Sequence, residues 1–516
     1  MSADQLAPGT DDGAVNEFGY RQELKRVLRL FAVFSVAFSI ISITTGIFLN
    51  FGFAITHLGP ASIWLWPVAA VGQTLVALIF AELATRIPLA GANYQWAARL
   101  VGPRYGYVVG SLGIMYSAVG ISGILLLAAS PLLATVFGWN VENPRLLLFI
   151  AVVLIVAAFG INLISIQLAT RVNNVAVITE IVGTVGLAAA VFFLWVAKGS
   201  PDGHGLGFLG QTETLPGQPL WYAIVLAALI GVYTLVGFEA AADMGEETVN
   251  ARRTIPRAIV LSVVISSVLG MLTLIGFTLA IPDLASVSAS PVPLADIIFY
   301  WLGETLTKVL LLVVVFSMFA LTVVAAAASA RLIFAMARDN LLPGSTALRR
   351  VNPSTKTPVI ALLVALAICL ALMFYGYANG NAFGTLVGAA TLLPYLVYLL
   401  TVIAYGLRRR QMAALPGAFS LGRWATPVFA AALVWLVAVL AALILPSEFR
   451  NATYVALGVL AVAGLWYVVG LHRRLSNGEA GATTLAANAS SGTSAAGATS
   501  AEDARANDDR TPDTAQ

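Results

Sequence analysis

Two hydrophobic segments of the chain are interrupted at their middles by small polar residues, and they lie about five segments apart. The first reads Ser39-Ile40-Ile41-Ser42-Ile43-Thr44-Thr45-Gly46-Ile47-Phe48, the second Gly231-Val232-Tyr233-Thr234-Leu235-Val236-Gly237-Phe238-Glu239-Ala240. A helix in lipid satisfies its backbone internally, because hydrocarbon offers no hydrogen-bond partner. An interruption at mid-depth is tolerated only where the freed groups face protein, water or a ligand. Two such interruptions at corresponding positions of two halves point to a solute site of the kind secondary transporters build between repeats. The pattern implies a carrier for a small polar solute.

The composition fits such a setting. The 516 residues are 59% hydrophobic and only 10% charged, against about 25% charged in a soluble domain, and the mean hydropathy is +0.89. Charge-free runs cover 30–81, 105–141, 146–170, 214–238, 258–282, 309–330, 357–407, 424–447 and 451–471. A crossing needs about 20 apolar residues, so the two longest runs hold two spans each, parted at Gly59-Pro60 and near Asn379–Asn381. With 174–196, which carries one charge, and 309–338 taken as one long helix, the expectation is an all-α integral membrane protein of twelve transmembrane helices. Their approximate bounds are 30–56, 61–86, 105–136, 146–169, 174–196, 219–245, 256–281, 296–338, 358–378, 383–407, 423–445 and 451–471.

Lys and Arg set the orientation. With both termini in the cytoplasm, 24 of the 28 basic residues fall inside, and only Arg145, Lys198, Lys308 and Arg450 fall outside. One span more or fewer would destroy this alternation. The net charge of +3 is thus a topology signal and gives no reason to expect a nucleic-acid partner. The expected domains are a cytoplasmic tail at 1–27, a transporter domain at 28–474 in the lipid bilayer, and an Ala/Ser/Thr/Gly/Asp-rich disordered tail at 475–516. Residues 1–20 lack a cleavable signal pattern. The single cysteine, Cys369, excludes an intrachain disulfide or cysteine-ligated metal, and no metal site or cofactor is expected. The amphipathic stretch Gly91–Leu100 reads as an interfacial helix. Spans 1–5 and 6–10 each begin with a broken helix. Because five is odd, the second set is inverted relative to the first, which makes a 5+5 inverted repeat with two helices appended.

Several residues carry chemistry. At the first interruption Gly46 permits unwinding, and the hydroxyls of Ser42, Thr44 and Thr45 are able to take over freed backbone groups. A half-helix starting near Ile47 would aim its N–H groups at an anion such as a carboxylate; a packing surface of small residues is the alternative. At the second, Gly237-Phe238-Glu239 puts a carboxylate in the membrane, where it faces a cavity or a partner. Tyr233 is placed to cap a solute by stacking or cation–π contact, or to pack in the core. Glu180 is the sole charge in the fifth span. Buried there, it is able to exchange a proton near neutral pH, neutralise a cation, or pair with an arginine such as Arg331. The second broken span leaves through Glu246-Glu247 and the eighth through Arg331 and Arg338-Asp339. These opposed charges suit a gate, or else are ordinary surface pairs.

These residues resemble a known family. Thr45-Gly46-Ile47-Phe48, Ala81-Glu82-Leu83 with Pro88–Trp96, Gly237-Phe238-Glu239-Ala240, Glu246-Glu247-Thr248 to Pro256-Arg257, and Ala330-Arg331 to Asp339 with Pro343 are together similar to motifs of the amino acid–polyamine–organocation transporter superfamily. The likeness is greatest to its amino acid/choline branch of GABA and choline permeases, over about residues 25–475. The resemblance implies a leucine-transporter-like fold. It implies that Thr45 and Gly46 meet a substrate carboxylate, with Phe238 and Glu239 at the second break and an aromatic gate at Tyr233. A second family aromatic falls at Ala325 here, implying a roomier site. Many sodium-independent members carry a lysine in span 5 where this chain has Glu180, so a proton, a sodium ion or a substrate ammonium would be served by a carboxylate instead. The implied activity is import of a small amino acid or related amine such as GABA across the plasma membrane, by proton (or sodium) symport with alternating access. The alternative is uptake of choline, polyamine or ethanolamine, or exchange without ion coupling.

Enzyme chemistry finds no support. His57, His204 and His472 fall in predicted loops or span ends, and no HExxH, GxSxG or phosphate-binding GxxxxGK[ST] motif is present, so no catalytic residue is named. Oligomeric state leaves no mark in the sequence.

Overall fold

The computed structural model describes residues 26–164, 166–199, 205–352, 357–412 and 419–481. Among them the chain is helical. Apart from an isolated bridge between Leu28 and Thr248, the described residues form no strand. The N-terminal residues 1–25 with Arg21 and Lys25, His204, Lys356, and the tail from 482 with Arg505 and Arg510 lie outside the described residues.

In chain order the principal helices are α1 (Leu30–Ile41), α2 (Ile43–Leu58), α3 (Leu65–Arg86), α4 (Ala92–Leu100) and α5 (Pro103–Phe137). Then come α6 (Pro144–Ile164), α7 (Ile166–Glu180), α8 (Gly186–Lys198), α9 (Leu220–Val232) and α10 (Ala240–Asp243). The rest are α11 (Ala251–Leu279), α12 (Pro293–Arg338), α13 (Val359–Ala378), α14 (Gly388–Arg408), α15 (Ala425–Ile444) and α16 (Arg450–Trp466). Ten stretches of described helix are long and apolar enough to cross a membrane. The expected twelve differ on two points. The stretch Leu30–Arg86 runs without loop through both the first and second spans, and the sixth is divided, with only the shorter Leu220–Val232 apolar throughout. α12 is kinked near its beginning, at Gly303 (φ 74, ψ 175).

The layout follows from which faces are apolar all round. Phe149, Phe193, Val434 and Val468 are each about two-thirds or more exposed, which suits only a lipid surround. The inner helices bury their small and polar residues instead. α11 packs along α3 and also covers α1; α12 packs against α5, α6, α7 and α13.

One expectation is corrected. The Gly91–Leu100 stretch is not interfacial: all nine residues of α4 are buried, wedged against α5 and α14. Its polar residues are satisfied inside the protein. Trp96 Nε1 donates to the Ile87 carbonyl at 3.0 Å, and Arg99 Nε reaches Gln95 Oε1 at 3.4 Å. An amphipathic stripe therefore marks an internal polar interface here. At the other end, the chain is hydrogen-bonded beyond the expected start of the tail at 475. Helix continues to Ser476, Asn340 Nδ2 donates to the Glu479 carbonyl at 2.9 Å, and the Gly481 N–H reaches the Asp339 carbonyl at 2.9 Å.

Candidate functional site

The first break is a single residue. α1 ends at Ile41, Ser42 takes the left-handed conformation (φ 37, ψ 87), and α2 begins at Ile43. The interruption thus falls two residues before Thr44-Thr45-Gly46, and the half-helix starts at Ile43 rather than near Ile47. Gly46 is not unwound. Its N–H donates to the Ser42 carbonyl at 3.0 Å, and its own carbonyl accepts from Asn50 Nδ2 at 2.9 Å. Glycine is required there by close approach, because a Cβ would lie 2.1 Å from Thr234 Oγ1 in the second break.

A fresh helix start exposes several N–H donors, and here the protein takes them up. The Thr45 N–H donates to Ser42 Oγ at 3.2 Å, and the two hydroxyls lie 2.7 Å apart. The Thr44 N–H donates to Glu180 Oε1 at 3.2 Å, while the Thr44 and Thr184 hydroxyls share a hydrogen bond. Glu180 is the last residue of α7, 3% exposed, and is followed by one turn of π-helix at Ile181–Val185. Such turns re-aim side chains and recur at functional sites.

The second break is longer, Tyr233 to Glu239 between α9 and α10. Its backbone is held by two tyrosines one helical turn apart on α14. Tyr398 Oη accepts from the Gly237 N–H at 2.8 Å and donates to Glu239 Oε2 at 2.5 Å. Tyr395 Oη donates to the Val232 carbonyl at 3.2 Å and accepts from Gln73 Nε2 at 2.6 Å. Gly237 sits at φ 93, where an added Cβ would also meet Ile40 Cγ2 at 2.4 Å.

Between the breaks lies a cavity of about 120 Å³, lined from both breaks, the start of α4, α5, α12 and α14. Ser42, Thr45, Gly46, Tyr233, Gly237 and Glu239 line it, as does Ala325. Thr44, Phe238, Glu180 and Arg331, expected at the site, are not among the lining residues. Thr44 and Glu180 instead bond each other behind the first break. Phe238 is fully buried against Phe80 and Tyr398, with ring centroids at 5.6 and 5.3 Å. Sequence reasoning passed over Tyr116, Asn93, Thr322 and Asp243, which also line the cavity. Asp243 follows Glu239 by four residues, the spacing of one helical face, and that spacing was the available signal. Its Oδ1 accepts from the Gly91 N–H at 3.2 Å. The lining thus holds two carboxyl groups and no Lys or Arg.

The two ends differ. Toward the end read from sequence as cytoplasmic, the opposed charges do meet: Arg331 reaches Glu247 at 3.5 Å and Arg338 reaches Glu246 at 3.7 Å. Glu246 Oε1 also accepts from the Ala90 N–H at 3.2 Å, and the Tyr94 hydroxyl donates to Asp339. Toward the opposite end, aromatic rings pack instead. Phe53 stacks on Phe383 at 4.7 Å, with Phe449 at 6.4 Å and His57 at 4.2 Å.

Comparison with known proteins gives the family. A family model described as amino acid permease matches residues 28–468. A rice (Oryza sativa subsp. japonica) protein named amino-acid permease BAT1 homolog is 28% identical, covering 91% of this chain and 96% of its own. The GABA-specific permease of Saccharomyces cerevisiae is 25% identical, covering 90% of this chain and 84% of its own. The thiamine transporter thi9 of Schizosaccharomyces pombe is 26% identical over 75% of this chain and 73% of its own.

Proposed function

The chain belongs to the amino acid permease family, and from that premise we propose a secondary active transporter that imports a small amino acid or related amine by proton symport, through alternating access. The observation that carries this reading is the cavity between two broken helices, lined by Glu239 and Asp243, with the buried Glu180 bonded to Thr44 behind the first break. A cavity of about 120 Å³ suits a solute of a few heavy atoms, and the GABA-specific relative is of that class. Glu180 joins the start of α2 to α7, so a proton taken up there would loosen α1–α2 from the fifth span. That gives coupling a physical route. The ion pairs of Arg331 and Arg338 fit an inner gate. The topology that goes with this reading has twelve crossings in the plasma membrane and both termini in the cytoplasm.

A second reading has its own support. The lining has carboxyl groups but no basic side chain, and one relative is named a thiamine transporter. Uptake of an organic cation such as choline, a polyamine or ethanolamine, or exchange without an ion, is the second reading.

The deciding experiment is uptake of labelled GABA and labelled amines into proteoliposomes with an imposed inward proton gradient. Accumulation that a protonophore abolishes supports symport. Exchange that proceeds equally without the gradient removes proton coupling, and the absence of any saturable flux removes the transporter reading.

A further inference from the structure

A second cavity, of about 890 Å³, shares no lining residue with the one between the breaks. α13 and α16 both pack on α5 but not closely on each other, and the space between them is left as a groove. One wall is the stripe Ile360, Val364, Ile368 and Leu372 of α13; the other is Val455, Gly458, Val459 and Val462 of α16. At 1.5 Å per residue the α13 stripe is about 18 Å long, close to the depth of one leaflet in a hydrocarbon core about 30 Å thick. The polar groups of the floor and of one end are used up by the protein. Tyr107 Oη donates to the Ala463 carbonyl at 3.0 Å, Ser111 Oγ to the Tyr107 carbonyl at 2.8 Å, and Trp466 Nε1 to the Leu341 carbonyl at 2.8 Å. The phenols of Tyr375 and Tyr454 stand at the far end. Between the ends the groove offers hydrocarbon only.

The Trp466 end is basic. Ala347 and Leu348 of the lining run into the exposed Arg349 and Arg350, and Trp466 is followed about two turns on by the exposed Arg473 and by Arg474. The Arg474 guanidinium lies over the Trp466 ring at 5.3 Å and is held to the Asn340 and Leu342 carbonyls at 3.4 Å each. Arg349 Nη1 reaches Asn340 Oδ1 at 3.3 Å. Of the acids nearby, Asp339 is buried and takes the Tyr94 hydroxyl, while Glu479 takes Asn477 Nδ2 at 3.1 Å. We propose that this groove is a phospholipid site. The acyl chains lie between α13 and α16, and an anionic headgroup meets the arginines. An apolar slot that ends in basic charge is the complement of such a lipid. A lipid without net charge leaves the arginines unused. A second copy of the chain is a poorer occupant: copies share one orientation in the membrane, so a twofold partner seated here would set the same arginines against these.

The test is native mass spectrometry of the full-length chain, purified in detergent and mixed with phosphatidylglycerol or phosphatidylcholine of the same acyl chains. One phosphatidylglycerol should stay bound, retained about tenfold more than phosphatidylcholine. Gly458→Trp should remove it, because a Cβ at Gly458 meets nothing within 4 Å and the indole then fills the groove. Arg349→Gln combined with Arg473→Gln, both on exposed side chains, should erase most of the preference, about fivefold for each arginine. Arg253→Gln combined with Arg257→Gln, exposed residues of α11 away from the groove, should leave it intact. Equal retention of the two lipids would overturn the proposal, as would a preference lost equally in both arginine pairs or a lipid still held by Gly458→Trp. A dimer that Gly458→Trp splits would overturn it too, since a second copy would then fill the groove. Should Gly458→Trp fail to fold, the wild-type preference and the two arginine pairs still decide.

Discussion

The two broken helices solve one problem in different ways. Before α2 the break is one residue, Ser42, whose own hydroxyl caps the helix it starts. Before α10 it runs from Tyr233 to Glu239; the Thr234 hydroxyl donates back to the Ile230 carbonyl at 2.6 Å, but the freed Val232 carbonyl and Gly237 N–H are met by phenols from α14. Yet there is a shared rule. The first break is tied to α7, in the fifth span, through Glu180 and Thr184; the second is tied to α14, in the tenth, through Tyr395 and Tyr398. In each half the broken first helix is anchored to the fifth. One anchor is a carboxyl group accepting from the backbone of the break, and the other is a pair of phenols, one of which also donates to the Glu239 carboxyl. The comparison teaches that the halves share a scaffold but differ in the joint: in the first an acid of the fifth span holds the break's backbone, in the second phenols of the tenth span do so.

The comparison breaks most severely if the two breaks are forced apart. A Cβ at Gly46 already collides with Thr234, so Gly46→Leu should abolish uptake while the protein still reaches the membrane. Wild-type uptake in that variant would mean the breaks do not form one site. Next in size is the second anchor. Tyr398→Phe leaves the Gly237 N–H without its acceptor and Glu239 without its donor, a loss of about 1–3 kcal/mol for a buried unsatisfied group. Thermal unfolding in detergent should fall by several degrees and uptake should drop. Tyr395→Phe touches only the Val232 carbonyl and Gln73 and should cost less, so equal effects from the two would contradict the division of labour drawn here.

The first anchor is tested by charge rather than by stability. Glu180→Gln keeps an oxygen able to accept from the Thr44 N–H, so folding should change little. A proton symporter is driven by an acidic outside, and wild-type uptake should rise as external pH falls. With a glutamine that cannot titrate, this rise should flatten. A variant with the wild-type pH profile would take Glu180 out of the coupling.

How much of this was legible in the sequence depends on what kind of cause is at work. Long apolar runs and paired interruptions carry their meaning locally, so the all-α membrane class and the two breaks were readable. The exact residue of the first break was not. Gly46 suggested unwinding because glycine usually relaxes the backbone, but its helix is intact and its missing side chain serves a contact with Thr234, nearly two hundred positions away in the chain. Thr44 and Phe238 were placed at the site by adjacency to it; a helix turns about 100° per residue, so neighbours in sequence face different helices. Tyr398 was passed over for the converse reason: it looks ordinary in its own segment, and its role appears only when Gly237 is brought beside it by the fold, whereas Asp243 did carry a signal in its spacing from Glu239. The burial of α4 likewise depends on what covers it.

The smallest expected effect concerns the ion pairs at the end carrying Arg331 and Arg338. Arg331–Glu247 is 3.5 Å apart with both side chains about a quarter exposed, so that pair should be worth no more than about 1 kcal/mol to stability; Arg338–Glu246, at 3.7 Å, has its glutamate buried. If they merely decorate the surface, Glu247→Lys should leave uptake and melting temperature almost unchanged. If they hold the inner mouth shut in this conformation, the same change should alter the apparent affinity and rate of uptake several-fold with little change in melting temperature, and Arg331→Glu added to it should restore much of the loss. The double variant is the informative one, because a neighbouring pair with a shared role departs from additivity whereas independent surface charges do not. Strict additivity of the two single effects would take the inner gate out of the mechanism while leaving the cavity and its two anchors untouched.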